Sequence, residues 1–182
     1  ADMIPLYPDG IKTNLSGSKK TYTDGDSDDI SLVTTVTEGQ YIWFYLVTAS
    51  KTNYTIDLTD FSISYVDEEY PQMASYDHYS EFSDKQGPVW YYMTSEADTD
   101  FTKQLDVYNS DNSRWQTDKA TEYNTGAVGN HFMQPWSTDD AVLGFKSPYS
   151  GKVNISAENL YLNGSSTDGV KIGIFKGTDG II

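Results

Sequence analysis

The sequence predicts an all-β protein, an antiparallel β-sandwich of the jelly-roll type, and three observations lead to this prediction. Apolar and other residues alternate in 141–145, 153–157 and 170–174, which is the period of a strand with one buried face. Pro148 and Gly151 separate the first two segments, as in a tight turn between antiparallel strands. No segment has the apolar spacing of a three-turn helix. Because strands with one apolar face need a second layer over it, we expect two packed sheets.

The first half of the chain predicts further strands at 30–36, 40–47, 54–58 and 61–66, with a turn at Glu38-Gly39. Residues 41–47 are apolar on both faces, which predicts a central strand and places Trp43 in the core. Residues 89–93 predict another strand, with Trp90 and Tyr92 on one face. Residues 1–29 contain Pro and Gly without periodicity, and we expect them to be an irregular lead-in.

Charge and composition exclude several classes of function. The 182 residues carry a formal net charge of −15, which repels nucleic acid and anionic membrane surfaces. No apolar run approaches the roughly 20 residues that span a bilayer, so no membrane insertion is expected. Cysteine is absent, which excludes disulfides and thiolate chemistry. Few Lys and Arg residues, together with many Asp, Ser, Thr, Asn and Tyr residues, favour an extracellular or cell-surface bacterial protein.

One acidic cluster has the spacing of a cation site. Asp24, Asp26 and Asp28 alternate as oxygen ligands do in a calcium-binding loop. Asp29 and Thr35 stand where an EF-hand has its Gly and its bidentate Glu, so the cluster is not an EF-hand. We favour a solvated acidic loop, and calcium is the one cofactor that the sequence leaves open.

Short motifs, mostly in the second half of the chain, carry a resemblance to a known family. They are QGPVWYY (86–92), NSRW (112–115), QP (134–135), DAV (140–142), SP (147–148), SG (150–151) and DGV (168–170). With these motifs the chain resembles β-sandwich modules, similar to carbohydrate-binding modules, that are attached to secreted bacterial polysaccharide-degrading enzymes. The resemblance covers 79–176. It implies a sandwich fold, neighbouring domains in a larger chain and a polysaccharide partner.

The order of the segments departs from that family. In such modules a stretch like 38–66 follows the strand that ends near Lys176, whereas here it precedes the rest. The resemblance therefore implies one circularly permuted domain over 1–182. In it, 30–66 supplies the strands that normally close the module and 76–176 those that normally open it. The alternative is a separate, incomplete domain containing 38–66, which would leave apolar faces exposed.

The function that the resemblance implies is non-catalytic carbohydrate binding, which holds a secreted or cell-surface protein on a polysaccharide such as starch or another α-glucan. Aromatic rings would stack on sugar faces while polar side chains bond to hydroxyls. The candidate ligand-binding residues have turn-like surroundings or share a strand face: they are Trp136, Trp90, Tyr92, Trp115, Tyr108 and Gln134. Each ring also has a packing interpretation, and Trp115 matches a position that the family fills.

Catalysis has little support in the sequence. The 27 acidic residues allow many carboxylate pairs and single out none, and no nucleophile, phosphate-loop or dinucleotide motif is present. His78 and His131 lie in no metal-ligand spacing, and we expect hydrogen-bonded packing roles for them. We therefore expect no enzyme. The main alternative function is a structural spacer or adhesin repeat without a sugar ligand, and a lyase or hydrolase domain is a weaker one.

Overall fold

The structure is a computed structural model that describes residues 4–7, 20–22, 27–48, 54–66, 75–96, 103–117, 126–164 and 170–177. Its elements, in chain order, are β1 (Ile4–Tyr7), β2 (Lys20–Tyr22), β3 (Ser27–Val36), β4 (Tyr41–Val47), β5 (Tyr54–Asp57), β6 (Asp60–Tyr65), β7 (Ser75–Asp77), α1 (His78–Glu81), β8 (Trp90–Glu96), β9 (Lys103–Gln104), β10 (Val107–Asn109), β11 (Arg114–Gln116), β12 (Ala127–Gly129), β13 (Phe132–Gln134), β14 (Asp139–Lys146), β15 (Gly151–Gly164) and β16 (Val170–Gly177). The strands form two antiparallel sheets, which confirms the predicted all-β sandwich. No helix in the described residues is long and apolar enough to cross a membrane.

The first sheet has seven strands, in the order β1-β16-β4-β14-β8-β9, with β2 also paired to β16. Its central strand is β4, which lies between β14 and β16 and has all of its residues buried. This position follows from the apolar side chains on both faces of β4, and Trp43 is fully buried as predicted. Residues from 38–66 therefore pair with strands from 141–175 in one sheet.

The two faces of β4 bury different sets of side chains. Ile42 and Phe44 point into the main core between the sheets. Tyr41 and Trp43 point to the opposite face, where their rings stack with centroids 5.6 Å apart. Burial raises the pKa of Tyr41 to about 12, and Lys146 Nζ lies 5.6 Å from the centroid of the same ring.

The second sheet is organised around β15, which is 14 residues long. One edge of β15 pairs with β3, and the other edge pairs first with β6 and then with β5. From β5 the sheet continues through β13, β12, β11 and β10, whereas from β6 it continues to β7. The pairing with β3 is interrupted near Asn159, which has a φ of 53°. The second sheet therefore has two arms, which we call the β5 arm and the β6 arm.

The lead-in expected at 1–29 is not irregular throughout. Both β1 and β2 pair with the edge of β16 that faces away from β4, and β3 begins at Ser27 rather than at Ile30. Strands of four and three residues are too short to show a period of two. Pro5 lies in an edge strand, which is where proline is tolerated in a sheet.

Two turns connect the sheets: one joins β3 to β4 and the other joins β14 to β15. The strands that each turn joins lie in different sheets, so β14 and β15 do not pair with each other as the turn at Pro148 and Gly151 suggested. Gly39, in the predicted turn before β4, has a φ of +83°, which favours glycine. The turn between β14 and β15 is bonded to β6, because Tyr65 Oη donates to Tyr149 O (2.6 Å). The ring of Tyr149 itself is 39% exposed.

Candidate functional site

Three of the aromatic side chains that the sequence marks as candidate ligand-binding residues are buried in the core. Trp90, Tyr92 and Trp115 are 5%, 0% and 7% exposed. The rings of Tyr92 and Trp115 stack with centroids 5.9 Å apart and an interplanar angle of 10°. Trp90 packs edge-on against Phe145 at 5.4 Å. These rings have no free face for a ligand, which fits the packing interpretation that the sequence left open.

Hydrogen bonds fix these three rings. Trp90 Nε1 donates to Glu81 Oε2 (2.9 Å), and Trp115 Nε1 donates to Ser83 O (2.9 Å). Tyr92 Oη accepts from Ser83 N (3.2 Å), and burial raises the Tyr92 pKa to about 12. Because every polar ring atom bonds to α1 or to the segment after it, the rings tie this part of the chain to the core.

The remaining sequence-predicted residues lie in three different places. Tyr108 is partly buried and packs on Trp115, with ring centroids 5.6 Å apart. Trp136 is partly exposed in the turn between β13 and β14, where its backbone N donates to Asp139 O (2.8 Å). Gln134 is 3% exposed and lines a groove on the outer face of the second sheet. Of the candidates, Gln134 is the one that lies in this groove.

The groove lies on the outer face of the β5 arm. Its volume is about 460 Å³, within the roughly 300–1,000 Å³ that small-molecule sites occupy. The residues that line it come from four strands and two turns: Thr55, Asp57, Asn112, Arg114, His131, Phe132, Gln134, Tyr161 and Asn163. The floor consists of strand side chains, and the two turns at one end of the arm supply Asn112 and His131 as a rim.

Strand alternation explains why these side chains point outward. Ile56, Met133 and Leu162 are buried in the core between the sheets. Because successive side chains of a strand point to opposite faces, their neighbours Asp57 and Phe132 face away from the core. The mixture of apolar and polar residues in β5, β13 and β15 thus builds a core on one side and the groove on the other.

Cross-strand register aligns the groove side chains in two rows. In the first row, Asp57 is level with Phe132 on one side and, by the register of β5 with β15, with Tyr161 on the other. Two strand spacings separate Phe132 and Tyr161 at their backbones, which is about 10 Å. The second row consists of Asn163, Thr55 and Gln134. A carboxylate therefore lies between two aromatic side chains, beside a row of amides and a hydroxyl.

The ring of Phe132 lies flat on the sheet because the neighbouring strand carries Gly129 opposite to it. A Cβ built on Gly129 would overlap this ring, with Cε1 nearest and with Cδ1 and Cζ both 2.6 Å away. Both of these distances are too short for a point in the ring plane beyond Cε1, so the added Cβ would lie above the ring face. One face of Phe132 thus covers Gly129, and the opposite face points out of the sheet into the groove.

Further aromatic side chains border the groove. Tyr161 is 47% exposed, and Tyr79 from α1 is 48% exposed. Tyr79 contacts His131 edge-on at 6.5 Å, and His131 contacts Phe132 at 5.3 Å. His131 Nδ1 shares a hydrogen bond with Asn130 Oδ1, as expected, but the side chain is exposed, so the packing role expected for it is wrong.

The two side chains with a formal charge in the groove differ in accessibility. Asp57 is partly exposed, and its Oδ1 accepts from Thr59 N (2.8 Å), which fixes the carboxylate at the end of β5. Arg114 is 3% exposed, and its Nε donates to Gln116 Oε1 (2.8 Å). Of the two charged side chains, Asp57 is therefore the more exposed.

His78 lies outside the groove, and its surroundings are less polar than those of His131. It is fully buried against Phe82, Trp90 and Tyr92, as expected of a packing residue. Within the described part of the chain neither of its ring nitrogens has a hydrogen-bond partner, so the expected hydrogen bond is absent. Burial lowers the pKa of His78 to about 3, with a further lowering by His131 and an opposing effect of Asp77.

The predicted calcium site falls largely outside the described residues. Asp24 and Asp26 are not among them, and for Asp28 the structure describes only its place in β3. Asp29 Oδ1 accepts from Asn159 N (2.8 Å) beside the interruption in β15. Among the residues that are described, no three His, Asp or Glu side chains are placed to hold a metal ion. Calcium binding stays a prediction.

Sequence reasoning missed most of the groove because no local pattern marks it. Phe132 is the first residue of a three-residue strand, which is too short to show a period of two. Tyr161 is an aromatic residue at an outward position of β15, so it interrupts the alternation of apolar and polar residues there. One signal was present: Gly129 and Phe132 flank the two-residue turn Asn130-His131, and a glycine opposite an aromatic side chain favours a ring that lies on the sheet.

No family model matches the chain, and neither a curated protein nor a solved structure matches it. The function of the site is therefore inferred from the geometry of its residues alone.

Proposed function

We propose that the protein binds a polysaccharide chain without catalysis and that the groove on the β5 arm holds it. The observation that carries this proposal is the outward face of Phe132, in the same cross-strand row as the fixed carboxylate of Asp57. A sugar ring has apolar C–H faces and a periphery of hydroxyls, so it needs a flat apolar surface with hydrogen-bonding groups around it. The groove offers both, since Phe132 and Asp57 are paired residues of neighbouring strands and face the same side of the sheet.

The polar side chains of the groove match the hydroxyls of a sugar. Asp57 accepts hydrogen bonds, whereas the amides of Asn163 and Gln134 can both donate and accept them. Thr55 adds a hydroxyl in the same row. Such groups sort ligands by the orientation of their hydroxyls, which a purely apolar groove cannot do.

The shape of the site favours a single chain over a crystalline surface. The lining residues come from a floor and from the rim side chains Asn112 and His131, so the site is enclosed on more than one side. Binding to the flat surface of a crystalline polysaccharide requires aromatic side chains whose rings lie in one plane on an open face of the protein. A soluble glycan such as an α-glucan chain fits a groove, and starch remains the first ligand to test.

The composition of the groove also favours binding over hydrolysis. Of the described residues that line it, Asp57 is the one carboxylate, whereas most glycosidases use a pair of carboxylates. In this proposal the module holds a secreted or cell-surface bacterial protein on its polysaccharide.

Affinity electrophoresis through gels that contain soluble starch, xylan or pectin tests the proposal. We expect one of these glycans to retard the wild-type protein and Tyr161→Ala to remove the retardation. Tyr149→Ala is the matched control, because Tyr149 is also an exposed tyrosine but lies outside the groove. Retardation by none of the glycans, or equal retardation of both variants, would contradict the proposal. The first result would favour the alternative of a structural spacer or adhesin repeat.

A further inference from the structure

The groove is longer across the strands than along them. Its floor side chains lie on β15, β5, β13 and β11, with β12 between the last two strands. Four strand spacings therefore separate Tyr161 on β15 from Arg114 on β11, which is about 19 Å. Along the strands the floor has two rows, which lie two residues apart, or about 7 Å. Such a long and narrow floor fits an extended chain that crosses the strands.

The turns at one end of the arm form a wall along this long axis. Asn112 lies in the turn between β10 and β11, and His131 lies in the turn between β12 and β13. Both turns are at the same end of the strands, because β10 to β13 pair antiparallel in chain order. The wall is therefore parallel to the two rows, and it would block a ligand that ran along the strands.

Two aromatic rings are far apart on this axis. The ring of Phe132 lies over Gly129 on β12, so three strand spacings separate it from the backbone of Tyr161 on β15, which is about 14 Å. Sugar rings built from single bonds of about 1.5 Å repeat about every 5 Å along a glycan. One sugar unit therefore cannot contact both rings, whereas a run of about four units reaches from one ring to the other.

The side chains between the two rings are polar. Asp57 and Thr55 lie on β5, and Gln134 lies on β13, so all three are between β15 and β12. The carboxylate of Asp57 is held in place because its Oδ1 accepts from Thr59 N (2.8 Å). These groups can bond to the hydroxyls of sugar units that have no ring beneath them. The groove thus offers stacking at two separate points and hydrogen bonds between them.

We propose that the groove binds a run of about four consecutive sugar units of one glycan chain, which lies across the strands. Phe132 and Tyr161 stack on units at opposite ends of this run, and the polar side chains bond to the units between them. This inference rests on the proposed carbohydrate binding and adds the form of the ligand, a chain and not a single sugar, and its direction on the sheet.

A series of oligosaccharides of increasing length tests the inference by calorimetric titration. The series runs from maltose to maltoheptaose, and the matching series from xylan or pectin is used if that polymer is the one that retards the protein. Tyr161→Ala removes the ring at one end of the run, and Tyr161 is 47% exposed, so the variant should fold. Tyr149→Ala is the matched control, because it removes an exposed tyrosine outside the groove.

We expect the affinity of the wild-type protein to rise by about tenfold or more from the disaccharide to the tetrasaccharide and then to level off. Tyr161→Ala should weaken binding of the tetrasaccharide by about tenfold and make the affinity level off by the trisaccharide, because one ring remains. The length at which affinity levels off does not depend on the folded fraction, so a loss of stability would not produce this change. Tyr149→Ala should leave the whole series unchanged.

Three outcomes overturn the inference while leaving carbohydrate binding intact. The first is an affinity of the wild-type protein that levels off at the disaccharide. The second is a loss in Tyr161→Ala by the same factor at every length, because Tyr161 would then not contact a separate sugar unit. The third is retardation by the polymer without binding of the heptasaccharide, which is long enough to fill the groove. Binding of neither the polymer nor any oligosaccharide overturns the proposed function itself, and the inference with it.

Discussion

Trp115 and Phe132 are aromatic side chains of the same arm of the second sheet, but they lie on opposite faces. Trp115 points into the core, where its ring stacks on Tyr92 and its Nε1 bonds to Ser83 O. Phe132 points outward, where its ring lies over Gly129 with one face in the groove. The inner ring is enclosed by other rings, whereas the outer ring is supported on one side only. This difference separates a side chain that stabilises the fold from one that can bind a ligand.

Truncation of the inner ring should produce the largest effect. Trp115→Ala removes a buried indole and leaves Ser83 O without its donor, so we expect a loss of about 3–5 kcal/mol in the free energy of unfolding. Chemical denaturation measures this loss, and binding to the glycan should fall only in proportion to the unfolded fraction. A folded Trp115→Ala protein of normal stability that no longer binds would reverse the roles assigned to the two faces.

The inner cluster should also make stability depend on pH through His78. Its pKa is about 3 in the folded protein, against about 6.5 for an unperturbed histidine, so between these values the unfolded chain binds more protons. Stability should therefore fall as pH decreases from 6.5 towards 3, by on the order of a few kcal/mol. Urea denaturation at several pH values measures the slope.

Carboxylates titrate in the same pH range, so the control is His78→Leu, which keeps an apolar side chain of similar size. We expect the pH dependence of this variant to be shallower than that of the wild-type protein. Its stability at pH 7 should be at least as high, because two buried nitrogens without partners in the described residues are removed. Identical slopes for the two proteins would show that His78 is accessible to protons in the folded state.

Truncation of the outer ring, in contrast, should weaken glycan binding strongly and change stability little. Phe132→Ala should weaken glycan binding by roughly thirtyfold, the change that about 2 kcal/mol at a central contact produces. Its unfolding free energy should change by less than about 1.5 kcal/mol, because the ring is only partly buried. Calorimetric titration and thermal melting on the same sample measure both quantities. Loss of stability without loss of affinity would assign Phe132 to packing.

A smaller effect is expected when the ring is tilted instead of removed. Gly129→Ala places a Cβ where the face of Phe132 now lies, so the ring must move off the sheet. We expect glycan affinity to fall by about threefold to tenfold, with a modest loss of stability. Gly39→Ala is the control, because it strains a positive-φ turn far from the groove and should lower stability without changing affinity. Equal affinities of the two variants would mean that the flat ring is not needed.

The comparison of the two faces also shows how much of the structure could be predicted from the sequence. The period of two in 141–145 and 153–157 and the apolar run around Trp43 are local, and they were sufficient for the fold class and the central strand. The position of Phe132 over Gly129 depends on register between strands, as does the alignment of Asp57 with Tyr161. Local patterns contain no such register, and abundance of Trp and Tyr marks the core as readily as a binding surface. Gln134 was among the candidates because it lies in the turn-like stretch before Pro135 and Trp136.

The most direct test of the account is an NMR titration that reports on both faces at once. The ¹⁵N–¹H spectrum of the protein is recorded during addition of soluble starch, or of the glycan that retards it most in affinity gels. The account predicts that the backbone amides of Asp57, Phe132 and Asn163 shift in a saturable manner while those of Trp90 and Tyr92 stay in place. Saturable shifts centred on β8 or on the turn at Trp136, with unchanged amides in the groove, would contradict it.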